Sequence, residues 1–194
     1  SDKFHLADEP LPFDPRLPLH LGIDVPGVPA CSFVQINRWG QALAYPWLQA
    51  GEEEGIGVYE FGQRMANHLL QEFADPHDLR LEDLLLVLKG DPAGNQRPSR
   101  NRLKKSETRA AFDVLRLGSL LYMGEDENDE PIYEERRGWG WRIINGPMEI
   151  TERLEIVRAR LTTILPNGLP GFVLDPRALE TRRGFLGGYH RKKY

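Results

Sequence analysis

The spacing of apolar residues along the chain separates helical from extended stretches. Ala30–Asn37 and Gln41–Trp47 flank Asn37-Arg38-Trp39-Gly40, and a short join holding Asn and Gly predicts a β-hairpin. Pro46 ends its second strand or places it at an edge. From Val58 to Phe73 the apolar residues Val58, Phe61, Met65, Leu69 and Phe73 recur three or four apart, which makes one helical stripe that Pro76 stops. Leu81, Leu84, Leu85 and Leu88 predict a second helix over 79–89, with Asp78 as its N-cap and Gly90 at its end. A longer helix is expected over 98–117, where Leu103, Ala110, Val114 and Leu117 fall within about 60° of one another. Ser119–Met123 reads as a strand, 124–130 as an acidic turn, and 132–144 as a returning strand with Trp139, Trp141 and Ile143 on one side. A last helix, Pro147–Leu165, carries the seam Ile150, Leu154, Val157, Leu161 and Leu165, with glutamates early and arginines late. Residues 1–29 hold six prolines and predict an extended arm.

These elements give an α+β fold, mainly helical, with an N-terminal β-hairpin and an extended Pro-rich arm. The expected organisation is an arm at 1–29, a globular domain at 30–168 and a basic C-terminal tail at 169–194. No apolar run approaches the roughly 20 residues of a membrane span. The first residues show no basic-then-apolar secretory pattern, and the single cysteine, Cys31, excludes an internal disulfide. A reducing cytoplasm is the expected compartment.

Charge changes the picture. Residues 1–95 carry six Lys/Arg against fifteen Asp/Glu, while 96–194 carry nineteen against fourteen, so a net charge of −4 hides a basic second half. Seven of those cations lie between Arg97 and Arg116: Arg97, Arg100, Arg102, Lys104, Lys105, Arg109 and Arg116. Glu107 and Asp113 are the only acids there, so the usual lacing of a solvated helix by ion pairs is missing. On a helix, Arg102, Lys105, Arg109 and Arg116 would form one lateral stripe; alternatively Ser106 caps a shorter helix and 97–105 is a basic loop. Arg136, Arg137 and Arg142 on the return strand, and Arg191, Lys192 and Lys193 in the tail, extend the same character. Cations interleaved with Trp and Tyr suit phosphate contact and base stacking.

The order helix, loop, basic helix, strand, turn and return strand over about 79–144 resembles a winged helix-turn-helix. The return strand, with Gly138, Gly140, Trp141 and Arg142, is similar to the closing wing strand of response-regulator DNA-binding domains. The resemblance implies a winged-helix-like C-terminal half, a basic helix lying in or near a DNA groove, and a hairpin touching the backbone. A seven-residue loop and an acidic wing tip point to backbone contact more than base reading. The first expectation is therefore a nucleic-acid-binding accessory protein, most simply for DNA, without a cofactor. A second is an assembly subunit whose basic half docks an acidic protein. A third is an enzyme whose site is gathered from distant residues; Asp83, Asp91 and Glu107 with Lys104 or Lys105 are candidates. The five histidines show no metal-binding spacing, His68 reads as a core-edge residue, and Cys31 as a buried thiol.

Overall fold

A computed structural model describes residues 5–25, 28–50, 56–95, 109–128, 130–147 and 149–185. Nine strands and four α-helices are found among them. The strands are β1 (Leu19–Asp24), β2 (Ala30–Ile36), β3 (Ala42–Ala44), β4 (Leu48–Gln49), β5 (Leu86–Gly90), β6 (Gly118–Glu125), β7 (Pro131–Arg137), β8 (Ile143–Asn145) and β9 (Phe172–Leu174). The helices are α1 (Val58–Leu69), α2 (Ala111–Leu117), α3 (Ile150–Thr162) and α4 (Leu179–Arg183). Seven strands make one mixed sheet in the order β8-β5-β1-β2-β3-β9, with β4 also on β2. β1, β2 and β3 form an antiparallel meander; β5 and β8 continue it in parallel beyond β1, and β9 runs parallel to β3. The remaining pair, β6–β7, is a separate hairpin.

The fold is therefore mixed α/β, and the expectation of a mainly helical chain with a winged-helix-like half is overturned. The largest error lies at 79–89, where a single 3₁₀ turn at Leu81–Asp83 leads into β5. Leu84–Leu88 is a continuous apolar run, as suits a strand flanked by neighbours on both sides, and periodicity cannot tell such a run from a buried helix. The presumed arm holds β1, next to the middle of the sheet. Leu19, Leu21 and Ile23 alternate inward, and the proline at 18 falls outside the strand, so it removes no ladder donor. Residues 5–18 pack irregularly ahead of β1, with Phe13 edge-on to Phe73 at 5.1 Å.

Two predicted elements hold well. The β2–β3 hairpin turns at Asn37–Gly40, where the Asn37 side chain accepts from the Trp39 and Gln41 amides. The α1 stripe is also as expected: Phe61, Met65, Leu69 and Phe73 are all buried. They meet Leu19, Leu21, Cys31 and Phe33 from the sheet and Phe112 and Leu115 from α2. Each such side chain contributes about 1.5–3 kcal/mol. Burial pushes the Cys31 thiol well up and lowers the pKa of His68, whose ring lies 4.7 Å from that of Phe33, in keeping with a buried thiol and a core-edge histidine.

The β6–β7 hairpin matches the predicted strand and return, but the return stops at Arg137. Gly140 adopts φ +73°, and the chain re-enters the main sheet as β8. Trp139 stacks on Trp141 at 5.1 Å and lies over Gly62 of α1, where a Cβ would come within 2.4 Å of the indole. α3 forms within the predicted range, yet the middle of its seam is uncovered: Leu154 is 47% and Val157 38% exposed. Of the presumed tail, 172–174 and 179–183 form β9 and α4. Among the described residues no helix is long and apolar enough to cross a membrane.

Candidate functional site

β1, β5 and β8 are parallel neighbours, so their C-terminal ends share one edge of the sheet. Open sheets with parallel strands bind ligands beyond that edge. Asp24 is the last residue of β1, Asp91 follows β5 directly, and Asn145 is the last residue of β8. The register pairs Ile23 with Gly90 and Gly90 with Asn145. Its next step sets Asp24 opposite Asp91, whose amide donates to the Ile23 carbonyl at 3.3 Å.

The two carboxyls are driven in opposite directions. Asp91 accepts from the Ala93 amide at 3.0 Å and from Arg153 Nη2 at 2.9 Å, and both bonds hold its pKa below the usual carboxylate value. Arg153 comes from the first turns of α3 and is aimed by a second bond, Nε to the Pro147 carbonyl. Asp24 is pushed up, first by loss of solvent and then by the Asp91 charge, which Arg153 partly offsets. Phe112 holds the Asp91 turn from below. Its ring lies 2.3 Å from where a Cβ on Gly90 would stand and 2.2 Å from one on Gly94, so both glycines are needed for that contact.

Two carboxylates at adjacent strand ends are hard oxygen donors, of the kind that suits Mg²⁺ or Mn²⁺. Among the described residues no group of three or more His, Cys, Asp or Glu comes together as a metal site. Asp91 was a candidate from sequence, but its expected companion Asp83 is taken by Arg80 in a local turn. Glu107, Lys104 and Lys105 lie outside the described residues. Asp24 was missed; the available signal was the alternation of Leu19, Leu21 and Ile23 ending in an acid.

The basic residues divide into two groups. Arg97, Arg100, Arg102, Lys104 and Lys105, with Arg191, Lys192 and Lys193, lie outside the described residues. The segment that holds the first five begins just past Asn95, at the end of the short helical turn that follows Asp91. The described cations are largely engaged within the chain. Arg109 donates to the Gly118 carbonyl at 2.7 Å and approaches Glu135 at 3.7 Å. Arg116 pairs with Asp113 at 2.7 Å, and Arg136 with Glu60 at 3.5 Å. Arg137 and Arg142 are exposed. A single helix over 98–117 does not form, because Ala110 is extended and α2 begins only at Ala111. Arg109 therefore precedes the helix, and it and Arg116 do not continue one stripe.

Comparison with family models, with curated proteins and with solved structures found no match to this chain.

Proposed function

We propose that this protein binds nucleic acid and hydrolyses its phosphodiester bonds, with one or two divalent cations held by Asp24 and Asp91. The observation that carries the reading is the placement of these carboxylates at adjacent C-terminal strand ends, with the Arg97–Lys105 run entering the chain just after Asp91. Two acids alone would repel a phosphodiester, so such a site works on one only with cations between them. The raised pKa of Asp24 marks the charge that a bound cation would compensate, and Arg153 already meets that need at Asp91. A cation here would lower the pKa of a bound water and neutralise charge on the phosphate. Asp24 and Asp91 would be its ligands, Arg153 would orient Asp91, and the basic segment would neutralise neighbouring phosphates and draw the strand in.

The test uses labelled duplex DNA, single-stranded DNA and RNA with Mg²⁺ or Mn²⁺. Cleavage should need the metal. Asp24→Asn and Asp91→Asn should each reduce it by more than about 100-fold, beyond what loss of an outer-shell contact to a metal ligand costs, and leave salt-dependent binding in place. Cleavage that persists in EDTA or in Asp24→Asn would overturn the catalytic part. A log–log salt slope near zero would remove nucleic acid altogether. The assembly-subunit reading draws on a different observation, the exposed Leu154, Ile156 and Val157 of α3, and would then stand in its place.

A further inference from the structure

A cleft of about 530 Å³ opens between α1 and the base of the β6–β7 hairpin. We infer that it is a subsite for one unpaired nucleotide of a single strand, an inference that rests on the nucleic-acid reading above. One wall is aromatic. Tyr59 and Trp139 have ring centroids 5.2 Å apart, tilted by 36°. Trp139 is held in place by the stacked and buried Trp141, by Gly62 beneath it, and by its amide donating to the Leu115 carbonyl at 3.1 Å. Both rings are half-buried, Trp141 stacks on Trp139, and the Arg136 guanidinium lies over the Tyr59 ring at 5.3 Å, so a base would meet an aromatic wall that is already ordered.

The other wall is polar. Gln63 and Asn67 lie four residues apart on one exposed face of α1, and their amides carry both donors and acceptors for a base edge. Arg64 and Arg137 bring positive charge to the lining, and the one acid in it, Glu60, faces Arg136 at 3.5 Å. The Tyr59 hydroxyl donates to the Arg137 carbonyl at 3.4 Å, tying the aromatic wall to the cationic rim. Aromatic faces, amides and guanidinium groups are the three contacts that single-strand recognition combines, and a base inside a duplex could not present its face here.

The experiment uses the full chain with a 5-bromouracil-substituted oligonucleotide and mapping of the photo-crosslinked peptides, alongside fluorescence anisotropy. Crosslinks are expected on the peptides containing Tyr59 or Trp139. Arg137→Glu and the double change Gln63→Ala/Asn67→Ala alter exposed polar side chains, and thermal melts should confirm intact folds. Each should weaken single-strand binding about tenfold or more, and the double change should leave duplex binding and metal-dependent cleavage of duplex unchanged. Crosslinks confined to other peptides, or single-strand affinity equal to wild type in both variants, would overturn the subsite while the carboxylate site stands. Failure of the wild-type protein to bind any oligonucleotide would remove both.

Discussion

Asp175→Ala should destabilise the fold more than any surface substitution, and the amount follows from its bonds. The side chain is fully buried just past β9. It accepts from the Leu11 amide at 2.9 Å, the Arg177 amide at 2.9 Å, and Arg177 Nε and Nη2 at 3.0 and 3.2 Å. Arg177 also reaches Glu72 at 2.9 Å, so one carboxylate ties the N-terminal segment and the helical turn after α1 to the C-terminal strand. Alanine would leave two backbone donors without acceptors, at about 1 kcal/mol each on the low side of the usual range because both are partly wet. Loss of the ion pair adds about 0–1 kcal/mol, since Arg177 is 46% exposed and water can replace its partner. A total of about 2–3 kcal/mol corresponds to a Tm drop of about 4–12 °C in a domain of this size. Burial by itself would raise the Asp175 pKa, but Arg177 and the amide donors hold it below the usual value. A depressed folded pKa means that the stability is present above the unfolded value, about 3.9, and is lost as pH falls through the folded one. Circular dichroism melts from pH 7 down to about pH 3 should show the two proteins separate at neutral pH and converge in acid. A neutral-pH difference below about 2 °C would refute the accounting.

Asp24→Asn should behave in the opposite sense. A raised folded pKa means that the charged form opposes folding, so without metal the variant should melt above wild type at pH 7. That gain should shrink as pH falls and the wild-type carboxyl takes up its proton. Saturating Mg²⁺ should reverse the order by stabilising wild type alone, by about 2.7 kcal/mol at 100 times Kd, and a variant less stable without metal would sink the argument. Gly118→Ala tests the hairpin base. Gly118 has φ +107°, and a Cβ there would stand 1.7 Å from the Arg136 carbonyl oxygen. A loss above about 2 kcal/mol is expected, with hydrogen exchange rising in β6 and β7 before the main sheet, and unchanged exchange there would contradict the geometry.

Local signals were legible in the sequence, and partners distant along the chain were not. Asn37 and Gly40 announce the β2–β3 turn, and the Phe61–Met65–Leu69 spacing announces α1, because each element is specified by its own residues. β5 owes its conformation to β1 and β8 on either side, and nothing in Leu84–Leu88 names them. The same reason hid half of the carboxylate pair. Asp24 and Asp91 become neighbours only through the parallel register of β1 and β5, whereas the cations were conspicuous as a run. Two of those cations, Arg109 and Arg116, turn out to be held by groups a few residues or one hairpin away. α3 shows the converse: its seam was readable, and the structure leaves Leu154 and Val157 of that seam exposed.

The position of β1 has a consequence for the order in which the sheet can be assembled. Its antiparallel partner β2 follows within a few residues, so the meander can pair early in synthesis. Its parallel partner pairs Leu19 with Leu86, and β9 closes the edge of β3 by pairing Ala42 with Phe172. Loops of that length close slowly, and until they do both sides of the meander present unpaired backbone. The nascent chain therefore passes through a stage with two open strand edges, and chains interrupted before Phe172 keep one of them, a template for edge-to-edge aggregation.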